Sequence, residues 1–139
     1  MQFKFLERFS GLGMLFLRIG LGLTYMFVHG YGKITGGTET WQGLGSRMSN
    51  LGIEFMHTFW GFMAAFAEFF GGLFLLLGLF YRPALVLLAI TMIVATIYHI
   101  ESGDPLTTTS HSMKMAIVFI GMLFLSPGRY SIDHLFLSK

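Results

Sequence analysis

A single carboxylate interrupts a long apolar stretch of this chain. Glu68 is the only charged residue between positions 62 and 80, in the segment FMAAFAEFFGGLFLLLGLF. A carboxylate in the middle of a membrane span is costly, so we expect it to face a partner or a wet cavity. Small residues on the same helical side would let a neighbouring helix approach closely. They are Gly61, Ala64, Ala65, Gly71 and Gly72. We therefore predict that Glu68 points into the protein, where it handles protons or orients a ligand.

A second polar group precedes it in the sequence. Its members follow one another at steps of four, three, four and four residues: Arg18, Gly22, Tyr25, His29 and Lys33. At 100° per residue, such positions share one narrow sector of an α-helix. We predict that Arg18 pairs with Glu68, and two interpretations of the pair stay open. It either neutralises two charges and fixes helix register, or it belongs to a polar cavity with a chemical role.

The histidines form a third group. Four of them are expected at the outer ends of helices: His29, His57, His99 and His111. Imidazoles from facing helices can ligate haem or copper, and the thioethers of nearby methionines suit Cu(I). No metal-type spacing such as HxxxH occurs, however, and we predict no metal site.

Four apolar segments are available to position these groups. A membrane-spanning helix needs about 20 mostly apolar residues. The sequence predicts spans at 11–32, 59–81, 83–100 and 112–126, the last of them short. Residues 81–83 alone would then connect the second and third spans. We predict an all-α fold, an integral membrane four-helix bundle that forms one domain over residues 1–139.

The first outer loop carries its own periodicity. Apolar residues recur there at steps of three and four: Trp41, Leu44, Met48, Leu51 and Phe55. This spacing predicts an amphipathic helix that lies at the membrane interface. Glycines at positions 43, 45 and 52 weaken a helix, and they leave a glycine-rich loop open as the alternative.

Charge and composition exclude several classes of function. Only 12% of residues are charged and the net charge is +2, so nothing indicates nucleic-acid binding. There is no cysteine, which excludes dithiol chemistry by the chain's own residues. Basic residues favour one side of the membrane, five against three, and the positive-inside rule then places both termini in the cytoplasm. The five are Lys4, Arg8, Arg82, Arg129 and Lys139; the three are Lys33, Arg47 and Lys114.

The order of these motifs resembles the DoxX family of small four-helix membrane proteins. The resemblance rests on Arg18 with Gly20 and Gly22, HGYGK at 29–33, AEFFGG, LLLGLFYRP, Met92 and SPGRYSID. The family is usually described as membrane oxidoreductase components, and some relatives work beside thiosulfate:quinone oxidation. The resemblance thus implies a quinone-linked redox role, with Arg18, His29, Lys33 and Glu68 as its polar positions.

We predict a bacterial inner-membrane redox subunit whose pocket opens to the outer face and is capped by residues 41–55. The pocket would bind a quinone or a similar lipophilic redox molecule, with Glu68 and His29 as the catalytic groups. The predicted ligand-binding residues are Arg18, Tyr25, Lys33, Trp41, His99 and His111. Electrons would come from a soluble or membrane redox partner, and homo-oligomerisation stays open. The alternatives are a non-catalytic scaffold or assembly factor, and a metal handler or transporter that uses the outer histidines.

Overall fold

All regular secondary structure among residues 4–137, the part of the chain that the computed structural model describes, is helical. The helices are α1 (Lys4–Glu7), α2 (Ser10–Ile34), α3 (Gly37–Gly45), α4 (His57–Leu77), α5 (Tyr81–Glu101), α6 (Leu106–Leu123) and α7 (Ile132–Leu137). Three of them, α2, α4 and α5, are long and apolar enough to cross a membrane. The predicted all-α membrane class is therefore confirmed for three spans.

The fourth span and the orientation stay predictions. Helix α6 has the length of a span, but it is not among the three helices that qualify by length and composition. Lys139, which contributes to the predicted charge bias, lies outside the described residues.

The outer surface of the helices is strongly apolar. Phe16, Val28 and Phe124 are 77%, 73% and 84% exposed, and many other large apolar side chains face outward with them. Soluble monomers rarely expose contiguous apolar patches of this extent. The surface is therefore suited to contact with lipid.

Helix α2 changes its geometry where it meets α4. Residues Thr24–Gly30 form a π-helical segment, a rare geometry that often occurs at functional sites. At its end, a Cβ on Gly30 would come within 2.5 Å of the Phe69 backbone nitrogen, so only glycine permits this approach. The two helix backbones are in direct contact here, next to Glu68. The buried position predicted for Glu68 is confirmed.

The connection between α4 and α5 is formed by residues 78–80, so the prediction that residues 81–83 form it is wrong. Phe80 has a left-handed backbone conformation, with φ at 47°. The Asp133 carboxylate accepts hydrogen bonds from the Phe80 and Tyr81 N–H groups, at 3.0 and 2.8 Å. It thus caps the first turn of α5 from a distant part of the chain. Local sequence patterns do not reveal such a cap.

Helix α6 begins and ends earlier than the predicted span 112–126. Its first two turns are rich in threonine and serine. In the structure these hydroxyls bond to carbonyls of the same segment. Thr109 donates to the Pro105 carbonyl at 3.3 Å, and Ser112 donates to the Thr109 carbonyl at 3.0 Å. The hydroxyl groups therefore find hydrogen-bond acceptors in the backbone of their own helix and of the residue before it.

The predicted helix in the first outer loop is present, but it is shorter than its periodicity suggests. Helix α3 continues as a 3₁₀-helix, Ser46–Leu51, and Gly52 ends it with a φ of 76°. The first three members of the predicted apolar stripe are half-buried: Trp41, Leu44 and Met48. Leu51 and Phe55 are exposed, because the 3₁₀ turn changes the register and the chain leaves the helix at Gly52. The interfacial placement of this helix stays a prediction.

Helix α3 lies directly on the beginning of α4. A Cβ on Gly61 would overlap the Trp41 backbone carbonyl, so glycine is required where the two helices touch. This contact holds α3 and its 3₁₀ extension over one end of α2, α4 and α5.

Candidate functional site

A cavity of about 370 Å³ lies beneath α3, between the C-terminal half of α2, the first half of α4, the second half of α5 and the start of α6. Six of the eight predicted site residues line it: Tyr25, His29, Lys33, Glu68, His99 and His111. Leu44, Arg47 and Met48 close it from the side of α3. The sequence-based prediction of a polar pocket covered by this segment thus agrees with the geometry.

Glu68 is paired with Lys33. The Lys33 Nζ atom lies 2.5 Å from Glu68 Oε2, and the glutamate side chain is only 4% exposed. The lysine side chain is 29% exposed, so the ion pair extends from the buried carboxylate toward the surface. An ammonium–carboxylate hydrogen bond of this kind is stronger than a neutral one, because both partners are ionised. It also joins the C-terminal end of α2 to the middle of α4.

Arg18 does not pair with Glu68, and the predicted Arg18–Glu68 ion pair is wrong. Its buried guanidinium donates instead to four backbone carbonyls. They belong to Leu75, Leu76, Pro127 and Tyr130, at 3.0, 2.9, 3.1 and 3.2 Å. Residues 75 and 76 lie about 10 Å or more along α4 from Glu68, at 1.5 Å per residue. Arg18 therefore lies outside the cavity and joins the end of α4 to residues 127–130.

A row of aromatic rings leads from the surface into the cavity. The exposed His111 ring lies 5.7 Å from the His29 ring, measured between centroids, and His29 lies 5.1 Å from Tyr25. The Tyr25 hydroxyl donates to the Met92 sulfur at 3.1 Å. His29 thus stands between a solvent-facing imidazole and the buried phenol, in the same cavity as Glu68.

His99 is the third histidine that lines the cavity. Its Nδ1 atom lies 2.6 Å from Asp104 Oδ2, in the turn that follows α5. His57, by contrast, contacts Ser49 at 3.5 Å and does not line the cavity. Within residues 4–137, no three His, Asp or Glu side chains are grouped closely enough to hold a metal ion.

Trp41 supports the cavity from outside. Its indole N–H donates to the Lys33 backbone carbonyl at 2.9 Å, and its ring packs edge-on against Phe62. It does not line the cavity, although the sequence predicts it among the ligand-binding residues. Arg47 holds the same covering segment onto α5, with its guanidinium 4.5 Å from the Tyr98 ring centroid.

Sequence reasoning missed Trp60, which lines the cavity near the beginning of α4. Its indole Nε1 is buried and has no hydrogen-bond partner within the described part of the chain. A buried donor without an acceptor costs about 1–3 kcal/mol of stability. The positions of Trp60, Ala64 and Glu68, four residues apart, carried the signal, because such residues lie near one another on a helix face.

Comparison with known proteins gives one match. The model of the DoxX family matches residues 13–100, which is more than half of the chain. No curated protein and no solved structure matches it. The matched region includes the cavity residues of α2, α4 and α5 but not His111 on α6.

Proposed function

This chain belongs to the DoxX family, and from that premise we propose that it is a membrane subunit of a redox system. It binds a quinone or a similar lipophilic redox molecule in the cavity beneath α3. One observation carries the proposal: a 370 Å³ cavity lined by three histidines and by the partly buried Lys33–Glu68 ion pair. Ligand pockets typically have volumes of about 300–1,000 Å³.

The residues of the cavity fit a quinone head group. Such a group has two carbonyl oxygens on a flat apolar ring, so it needs hydrogen-bond donors and apolar walls. Lys33 and His29 line the cavity and are hydrogen-bond donors. Met63 and Ile90 supply apolar walls.

The role of this chain in the reaction is to move protons. Reduction of a quinone to the quinol takes up two electrons and two protons. Glu68 and His29 are the side-chain types that transfer protons most readily, and both line the cavity. His111 offers His29 a neighbour at the surface, and Lys33 holds the Glu68 carboxylate in place. A soluble or membrane partner supplies the electrons.

A scaffold or assembly factor is the second candidate, because the Lys33–Glu68 pair also joins α2 to α4. In that case the pair contributes to folding alone, and the cavity has no redox ligand. The two candidates differ in what the purified protein retains.

The test is solvent extraction and mass spectrometry of the protein purified in mild detergent. Wild type is compared with Glu68→Gln, and Glu39→Gln is the matched control because Glu39 is exposed and lies outside the cavity. We expect quinone in wild type and in the control, and its loss from a Glu68→Gln protein that is still helical by circular dichroism. Quinone at the background of an unrelated membrane protein in all three samples would favour the scaffold.

A further inference from the structure

A second cavity, of about 640 Å³, lies at the opposite end of α2. It is bounded by the start of α2 on one side and by residues 125–129 on the other. Among the described residues, no acidic side chain lines it, and its polar lining consists of Arg8, Ser10, Ser126 and Arg129. Its apolar lining consists of Met14, which is buried, and of Leu17 and Leu125, which are partly exposed. None of these residues lines the cavity beneath α3.

Arg129 is held in place on one side of this cavity. A Cβ on Gly11 would lie 3.4 Å from the Cγ and Nε atoms of Arg129, so the arginine side chain extends across the first turn of α2. Its guanidinium lies 5.0 Å from the Tyr130 ring centroid. The carbonyls of Pro127 and Tyr130 on either side are bonded to Arg18. The arginine is therefore presented by an anchored segment.

The opposite wall adds positive charge. Arg8 lies in the turn between α1 and α2, and Ser10 and Gly11 belong to the first turn of α2. The N-terminal end of a long helix carries a partial positive charge and attracts anions. Two guanidinium groups and the positive end of α2 thus converge on one cavity. Guanidinium groups bind phosphate through two parallel hydrogen bonds.

We propose that this cavity binds the phosphate group of an anionic phospholipid. The lining fits both parts of such a molecule, because the basic residues match the phosphate and the apolar residues match the upper acyl chain. A basic recess between membrane helices is a typical site for anionic head groups on the cytoplasmic side. The predicted orientation places this end of α2 on that side. The proposal uses no residue of the cavity beneath α3, so it stands independently of the redox function.

The test is native mass spectrometry of the full chain in mild detergent, with phosphatidylglycerol and phosphatidylcholine of equal chain length added together. Wild type is compared with Arg8→Gln/Arg129→Gln. Arg82→Gln is the matched control, because Arg82 is exposed, lies beyond α4 at the same end of the protein and does not line the cavity. We expect wild type and control to prefer phosphatidylglycerol. In the double variant, the preference for phosphatidylglycerol should fall about fivefold for each arginine removed. This factor is the contribution of one basic residue near an anionic surface.

Two further measurements keep the test decisive. Arg8→Lys/Arg129→Lys retains both charges, and it should lose part of the preference because lysine lacks the planar fork of arginine. Inorganic phosphate, added at increasing concentration, should not displace the lipid, because it has no acyl chain for the apolar lining. Equal binding of the two lipids by wild type, or an equal loss in Arg82→Gln, would overturn the proposal. Displacement by inorganic phosphate alone would assign the cavity to a free anion instead.

Discussion

Substitution of Lys33 should show how much the Lys33–Glu68 ion pair contributes to the free energy of unfolding. In Lys33→Met, the Glu68 carboxylate keeps its buried position, 4% exposed, but loses the ammonium group 2.5 Å away. Breaking a buried pair by removing one partner typically costs about 3–5 kcal/mol. We expect about 3 kcal/mol here, the lower end of that range, because 29% of the lysine side chain is exposed.

The double variant Lys33→Met/Glu68→Gln tests the same reasoning from the other direction. It removes both charges together, so no carboxylate is left unpaired in the protein. We expect it to be more stable than Lys33→Met alone, with a coupling free energy of about 1–3 kcal/mol between the two sites. The assay is reversible unfolding in mixed detergent micelles, followed by circular dichroism for the four proteins of the cycle. Lys114→Met is the control, because Lys114 is exposed on α6.

Two results would refute this reasoning. The first is a Lys33→Met variant that is no less stable than Lys114→Met. The second is a double variant whose loss of stability equals the sum of the two single losses, since that would mean that Lys33 and Glu68 do not interact.

Three further substitutions probe the covering helix, the buried arginine and the indole donor. Gly61→Ala should displace α3, because the added Cβ overlaps the Trp41 carbonyl, and limited proteolysis should then cut within residues 37–52. Arg18→Lys should lower the melting temperature and loosen residues 127–130, because one ammonium group cannot reach all four carbonyls. Trp60→Phe should leave the protein as stable or stabilise it by about 1 kcal/mol, since it removes a buried unpaired donor.

Each of these substitutions has a matched control. Gly43→Ala adds the same methyl group where no atom lies within 4 Å, so equal proteolysis of the two alanine variants would contradict the close packing. Arg82→Lys changes an exposed arginine, and a similar melting temperature for it and Arg18→Lys would argue against the four carbonyl bonds. Trp41→Phe removes an indole donor that is already bonded, so it should destabilise the protein. The indole hypothesis fails if Trp60→Phe destabilises it as much.

The sequence predicted the membrane class and most of the residues that line the cavity. Both depend on patterns that repeat along a helix, namely long apolar runs and polar residues at helical spacing. Glu68 had to face inward once it lay in an apolar span, and Tyr25, His29 and Lys33 were brought to it by helical periodicity. The Arg18–Glu68 pair failed because periodicity gives the angle of a residue around the helix axis but not its height relative to a neighbouring helix. Lys33 lies at the height of Glu68, whereas Arg18 lies near residues 75 and 76.

Contacts between distant parts of the chain account for the other errors. The boundary of α5 depends on Asp133, which caps Phe80 and Tyr81 across more than fifty residues. Such a cap leaves no trace in the local pattern around residue 80. Trp60 was missed for a different reason, because a tryptophan near a helix end usually marks the membrane interface, and only its burial beside a cavity gives it another meaning.

The four carbonyl bonds of Arg18 also impose an order on biosynthesis. Arg18 is translated more than a hundred residues before Pro127 and Tyr130, which accept two of its hydrogen bonds. Until those residues emerge from the ribosome, the guanidinium depends on water or lipid phosphate for the missing partners. A nascent chain that stops before residue 127 therefore retains an unsatisfied charge within its first span.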